Sequence, residues 1–112
     1  KMWLASPRSI VENTLHAHNL AASAWGASRT VSLPGFSLTV AEMAKALENV
    51  AGPAVAGRID WEPDPFIEKI VRGWPPAFNT KKAAALGFTQ DEGMEAVIRA
   101  FIEDELNGKI AA

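Results

Sequence analysis

Arg8 is the residue whose type and placing most suggest chemistry in this 112-residue chain. It follows Ser6-Pro7, a pairing that starts helices: Ser as N-cap, Pro at the first helical position, where its missing N–H costs nothing. A guanidinium offers paired donors that match a carboxylate. In a first helical turn its charge adds to the positive end of the helix dipole, which favours an anion. Ser6 can donate to the same ligand or serve only as the cap. The plain alternatives for Arg8 are a solvated side chain or an i,i+4 pair with Glu12. A second candidate group lies in Val71-Arg72-Gly73-Trp74-Pro75. Trp74 can stack over a substrate or simply cover the core, and Arg72 can supply a second cation or remain a solvated charge.

Other chemistries are excluded by what the chain lacks. His16 and His18 are two apart on a helix and point to different faces, and no acidic residue completes a ligand set, so no metal site is expected. With no Cys, disulfides and thiolate metal centres are impossible. There is no Tyr and no G-x-G-x-x-G. Redox chemistry on an alcohol needs a cofactor loop and a proton relay, and these residues write neither. No catalytic and no cofactor-binding residue is therefore assigned. Ser, Thr and Lys are present as nucleophiles, but no motif places a base beside them, which weakens the case for a small independent enzyme.

The elements that must position these residues follow from periodicity and punctuation. Met2–Ala5 suits a strand. A helix is predicted over about 7–20, with Ile10, Val11, Thr14, Leu15 and His18 on its buried face. Residues 21–28 read as a loop, and Arg29–Leu33 as a β-branched, alternating strand closed by Pro34-Gly35. Thr39-Val40-Ala41-Glu42 is a capping box, with Leu38 and Met43 as its hydrophobic staple, opening a helix that Gly52-Pro53 stops. Arg58–Glu62 is a third candidate strand. The proline-rich stretch 63–78 holds a short helix around Phe66–Val71. Asn79 caps another that ends at Gly87, and Thr89–Glu92 is a second capping box before an amphipathic helix to about Glu105. Asp91 and Glu92 suit the dipole at that helix start, and Glu103–Glu105 read as a solvated face. Trp3, Trp25 and Trp61 read as packing residues. The expected fold is α/β: a small three-stranded, parallel or mixed sheet with about four to five packed helices, in one domain spanning 1–112.

Bulk properties narrow the partners. Hydrophobic residues make up 48% and charged residues 21%, which is a globular composition. The net charge is −2 with no basic stripe, so nucleic acid is not expected. No apolar run reaches the ~18 residues that span a bilayer, so no membrane partner is expected and the cytoplasm is the default location.

Three stretches carry a resemblance. Thr30–Gly35 with Ser37–Met43 is similar to the strand, glycine turn and capped helix of the extended short-chain dehydrogenase/reductases, the NAD-dependent epimerase/dehydratase family. Phe78-Asn79-Thr80-Lys81-Lys82-Ala83 with Leu86-Gly87-Phe88 resembles the family's aspartate–x–x–lysine–alanine … leucine–glycine–aromatic signature, Asn79 standing where Asp is usual. The last helix resembles the family's closing helix. The opening Met2–Arg8 looks like the branch of D-erythronate dehydrogenase type. Val71–Pro75 replaces the Arg-Pro-Gly-Asp loop of nucleotide-sugar enzymes. The resemblance covers nearly the whole chain but about a third of a family enzyme.

It implies the C-terminal, substrate-binding portion of an extended Rossmann-type dehydrogenase, acting on a small sugar acid or 2-hydroxy acid. The nucleotide-binding domain and the catalytic Tyr-x-x-x-Lys have no matching positions here. NAD(P) is expected for the full-length enzyme and none for this chain, which would be inactive alone. Its partners would be the rest of its own polypeptide and the substrate, contacted by Arg8, Ser6, Trp74 and Arg72. Cut from that polypeptide, it is expected to self-associate through bare apolar surface. The alternative is an autonomous small binding or scaffold domain without activity.

Overall fold

A computed structural model describes residues 1–110. Ser6-Pro7 opens the first helix as its residues require. Helix α1 runs Pro7–Asn19, and Ser6 Oγ accepts from the Ser9 N–H at 3.0 Å. A 3₁₀ turn at Ala22–Trp25 interrupts the predicted loop. Helix α2, Val40–Ala51, begins at the predicted capping box. The Glu42 N–H donates to Thr39 Oγ1 at 3.2 Å, and the Thr39 N–H donates to the Glu42 carboxylate at 2.6 Å. That bond holds Glu42 below the usual carboxylate range. Thr39→Ala removes one half of the box and is expected to cost roughly 1 kcal/mol. A thermal melt checks it: an unchanged midpoint means that the box does not hold the helix start.

Gly52, at φ +86°, ends α2, and Pro53 opens the short α3, Pro53–Ala56. Helix α4 is Pro65–Val71, capped by Asp64. Helix α5 is Lys81–Ala85, and the Asn79 side chain accepts from the Lys81 N–H at 3.1 Å. It closes in a Schellman turn. The Phe88 N–H donates to Ala83 O and the Gly87 N–H to Ala84 O, with Gly87 at φ +83°. Helix α6 is Met94–Glu105.

Several expectations need correction. The sheet has two strands, not three, and they are antiparallel: β1, Met2–Leu4, pairs with β2, Phe36–Leu38, in the register Met2↔Leu38 and Leu4↔Phe36. Arg29–Leu33 and Arg58–Glu62 are not strands. Alternation suits a residue run to pairing but supplies no partner, and β1 finds its partner after Pro34-Gly35 rather than before it. Gly35 makes this possible: a Cβ there would strike the Leu4 carbonyl oxygen and come within 2.7 Å of Trp3 Nε1. The second capping box does not form. The Thr89 N–H is taken by Asn13 Oδ1 at 3.0 Å, and α6 starts beyond Gly93 without a side-chain cap. The helices number six rather than four or five among the described residues.

The largest correction concerns α1. Its buried residues are Ser9 and Asn13, whereas Ile10, Val11 and Leu15 are exposed, as are Thr14 and His18. The helix is seated by its polar side. The buried apolar core is correspondingly small: Leu38, Ala46, Ala83, Phe88, Ile98 and Ala100. The molecule is a slab of 51 × 36 × 17 Å with a radius of gyration of 16.8 Å. A compact domain of this length would have about 13 Å. Its surface is 8017 Å². A folded monomer of this mass would show about 6,000 Å².

Candidate functional site

Arg8 stands in the first turn of α1, where Ser6-Pro7 puts it, and α6 crosses its path. Its Nη2 and Nε reach the two carboxylate oxygens of Asp104 at 2.7 and 3.0 Å, and Nη2 also meets Glu103 at 2.9 Å. This is a two-pronged carboxylate grip with a second anion alongside. Arg8 is thus neither free in solvent nor paired with Glu12, and two members of the acidic run 103–105 are engaged rather than merely solvated. The grip holds the Asp104 carboxyl below the ordinary aspartate range. The Arg8 side chain remains 40% exposed.

Ser6 and Arg8 share one wall of a cavity of about 360 Å³, closed by Leu47, Met94, Ile98 and Phe101. Its lining is predominantly apolar apart from this charged rim. The Ser6 hydroxyl is fully used: it donates to Asp91 Oδ1 at 2.6 Å and accepts from the Ser9 N–H. Ser6 also gives its own N–H to Asp91 Oδ2 at 2.8 Å. Asp91 therefore serves α1, not only the dipole of α6.

Arg72 and Trp74 lie elsewhere. Arg72 pairs with Glu68 one turn back at 2.7 Å, on a different cavity of about 370 Å³ lined by Lys1, Glu62, Asp64 and Ile67. The two cavities share no lining residue. The Glu68 bond raises the Arg72 pKa above its ordinary value. Trp74 is half exposed and lines neither. The structure brings Ser6 and Arg8 together and leaves Arg72 and Trp74 on another part of the slab.

The fastening is done by Asn13, which the sequence reading did not single out, and by His16 and Lys82, for which it gave no such role. Asn13 clamps Thr89 from both sides, donating Nδ2 to its carbonyl at 2.8 Å and accepting its N–H at 3.0 Å. His16 Nε2 donates to the Leu86 carbonyl at 2.7 Å and packs edge-on against Phe88. Ser6, Asn13 and His16 recur at seven and three residues, the period of one helix face, and that spacing was the available signal. Lys82 Nζ donates to the carbonyls of Ser28 and Thr30 and lies 5.9 Å from the centre of the Trp25 ring. It pins a ten-residue stretch that has no regular structure.

The glycine at the head of a long helix is Gly93, and Glu92 and Glu95 flank it, a setting that repels a pyrophosphate. No strand leads into it. Among the described residues no group of three His, Cys, Asp or Glu is placed to hold a metal ion, and no helix is long and apolar enough to cross a membrane.

The comparisons with known proteins agree with the resemblance read from the residues. No protein-family model matches the chain. It is 47% identical over 103 residues to a D-erythronate dehydrogenase of Cupriavidus necator, a match covering 92% of this chain and 32% of that protein. It is 39% identical over 106 residues to a D-erythronate dehydrogenase of Haemophilus influenzae, covering 95% and 34%. The crystal structure of a nucleoside-diphosphate-sugar epimerase from Agrobacterium tumefaciens superposes with a TM-score of 0.91 at 41% identity, over 96% of this chain and 31% of that one. The chain spans about a third of the length of these relatives. In sequence it is D-erythronate dehydrogenase-like, and in fold epimerase-like, over the third of such a protein that it matches.

Proposed function

We propose that this chain is the C-terminal, substrate-binding portion of an NAD-dependent oxidoreductase acting on a small sugar acid, and that it is inactive alone. One observation carries the reading: identity of 47% and 39% to two D-erythronate dehydrogenases runs through more than nine-tenths of the chain, yet spans only about a third of either protein. The lack of any Tyr and of a glycine-rich dinucleotide loop supports the second half of the reading. The cofactor, the proton relay and the active-site seal are then the work of the remaining polypeptide, in the cytoplasm.

Within this reading Arg8 meets the substrate carboxylate. It already grips a carboxylate with both prongs, and the substrate would take the place that Asp104 and Glu103 hold. Ser6 stands beside it, whereas Arg72 and Trp74, away from this cavity, would not share its ligand. A second reading is favoured by the same bonds: Arg8 is a clasp between α1 and α6, because its Nε and Nη2 donors are engaged by α6 carboxylates and the adjoining cavity is mostly apolar.

The isolated chain is expected to bind no NAD and to self-associate. Calorimetric titration with NAD should give no heat, since no glycine turn precedes a helix in the required way. Light scattering should show a mass that rises with concentration, since thirteen large apolar residues are exposed. Micromolar NAD binding overturns the reading. A clean monomer that binds no hydrophobic dye favours the autonomous scaffold domain instead.

A further inference from the structure

We infer that the outward face of α1, formed by Ile10, Val11 and Leu15, is the surface on which the remaining two-thirds of the enzyme polypeptide seats. The inference rests on the functional reading above, that the chain is one portion of a longer enzyme. The buried side of helix α1 is fastened to its own body mainly by polar groups, Ser6 to Asp91, Asn13 to Thr89 and His16 to Leu86, with Ser9 behind Asn13 and the His16 ring edge-on to Phe88. The opposite side is left bare, Val11 at 58% and Leu15 at 59% exposed. Water solvates a polar stripe readily and penalises an apolar one. A helix that buries Ser and Asn while exposing Ile, Val and Leu is therefore oriented against the hydrophobic effect, unless a second body covers it.

The bare ridge runs into a hollow. Ile10 also lines a cavity of about 430 Å³ whose other walls include Trp3, Leu4, Leu33, Pro34 and Phe78. Trp3 and Phe78 meet edge-on there, with ring centres 5.8 Å apart. No charged side chain lines the hollow. The occupant must present an apolar face with few charges. The length of the relatives says which body that is. This backbone recurs, at a TM-score of 0.91, inside a chain of which it is only 31%. The remainder of such a chain is the body available to cover this face, and the apolar ridge and uncharged hollow suit the packing of one part of a polypeptide on another.

These 112 residues contain no cysteine, so each thiol introduced among them can be followed by mass on its own peptide whatever the rest of the polypeptide holds. Single cysteines are placed by Val11→Cys, Leu15→Cys and, as an exposed reference on α2, Lys45→Cys, in the polypeptide as its gene encodes it. Each is reacted with a maleimide, native and in denaturant. Positions 11 and 15 should label at least about tenfold more slowly than position 45 in the native protein and equally fast in denaturant. Equal native rates at the three positions overturn the inference. NAD-dependent oxidation of D-erythronate is assayed on the unmodified polypeptide alongside. Activity with fast labelling loses the docking face and keeps the function. Inactivity with protected positions 11 and 15 does the reverse.

Discussion

Asn13→Ala is expected to lower the stability of this chain by about 3 kcal/mol. Asn13 is 2% exposed and holds both backbone groups of Thr89. Truncation leaves that N–H and that carbonyl without partners at the base of α1, at about 1–3 kcal/mol for each group that stays buried. Domains of this kind have only about 5–15 kcal/mol in total. The urea midpoint should fall steeply with the slope unchanged. Asn13→Asp keeps an acceptor for the Thr89 N–H but turns its second oxygen against the carbonyl, so it should recover only part of the loss. A midpoint unmoved by Asn13→Ala would mean that α1 is not fastened through this clamp.

In the assembled enzyme, Arg8→Met is expected to lower kcat/KM for the sugar acid about a hundredfold, on the order of 3 kcal/mol, with Arg8→Lys intermediate. Lysine keeps the charge but loses the paired donors, and methionine keeps most of the stem but loses both. Asp104→Asn separates the two roles of Arg8. If the substrate displaces Asp104, neutralising that competitor should lower KM. If Arg8 is only a clasp between α1 and α6, Asp104→Asn should lower the melting midpoint and leave KM where it was. Turnover unchanged in a well-folded Arg8→Met variant would end the substrate reading of Arg8.

Local signals were legible in the sequence wherever the deciding atoms lie within a few residues. Thr39 with Glu42, Gly52-Pro53, Ser6-Pro7 and Gly87 each set a helix end by short-range bonds, and each stands where the residues put it. What failed depended on distant partners. Thr89 and Glu92 have the letters of a capping box, but Asn13, 76 residues away, takes the Thr89 N–H first. Arg29–Leu33 alternates as a strand should, yet β1 pairs elsewhere. Helix α1 shows the limit most plainly. Its apolar and polar stripes have the same period, so periodicity identifies a two-sided helix without saying which side faces this body. The rule that apolar goes inward assumes that the whole interior is in hand. Of the candidate site, the sequence brought out Ser6 and Arg8, which share a cavity. It could not bring out Asp104, whose role depends on α6 lying across the start of α1.

The thickness of the slab sets a last condition. At 17 Å it is hardly more than one and a half helix diameters, each about 10–12 Å. Most side chains therefore lie near a surface, and the described residues enclose only a small apolar core, with no ionisable side chain buried in it. Transfer of a hydride or proton under control requires water to be shut out, so that fixed dipoles act at full strength. On the proposed reading the slab would form one boundary of such a space, and a second body would close over it.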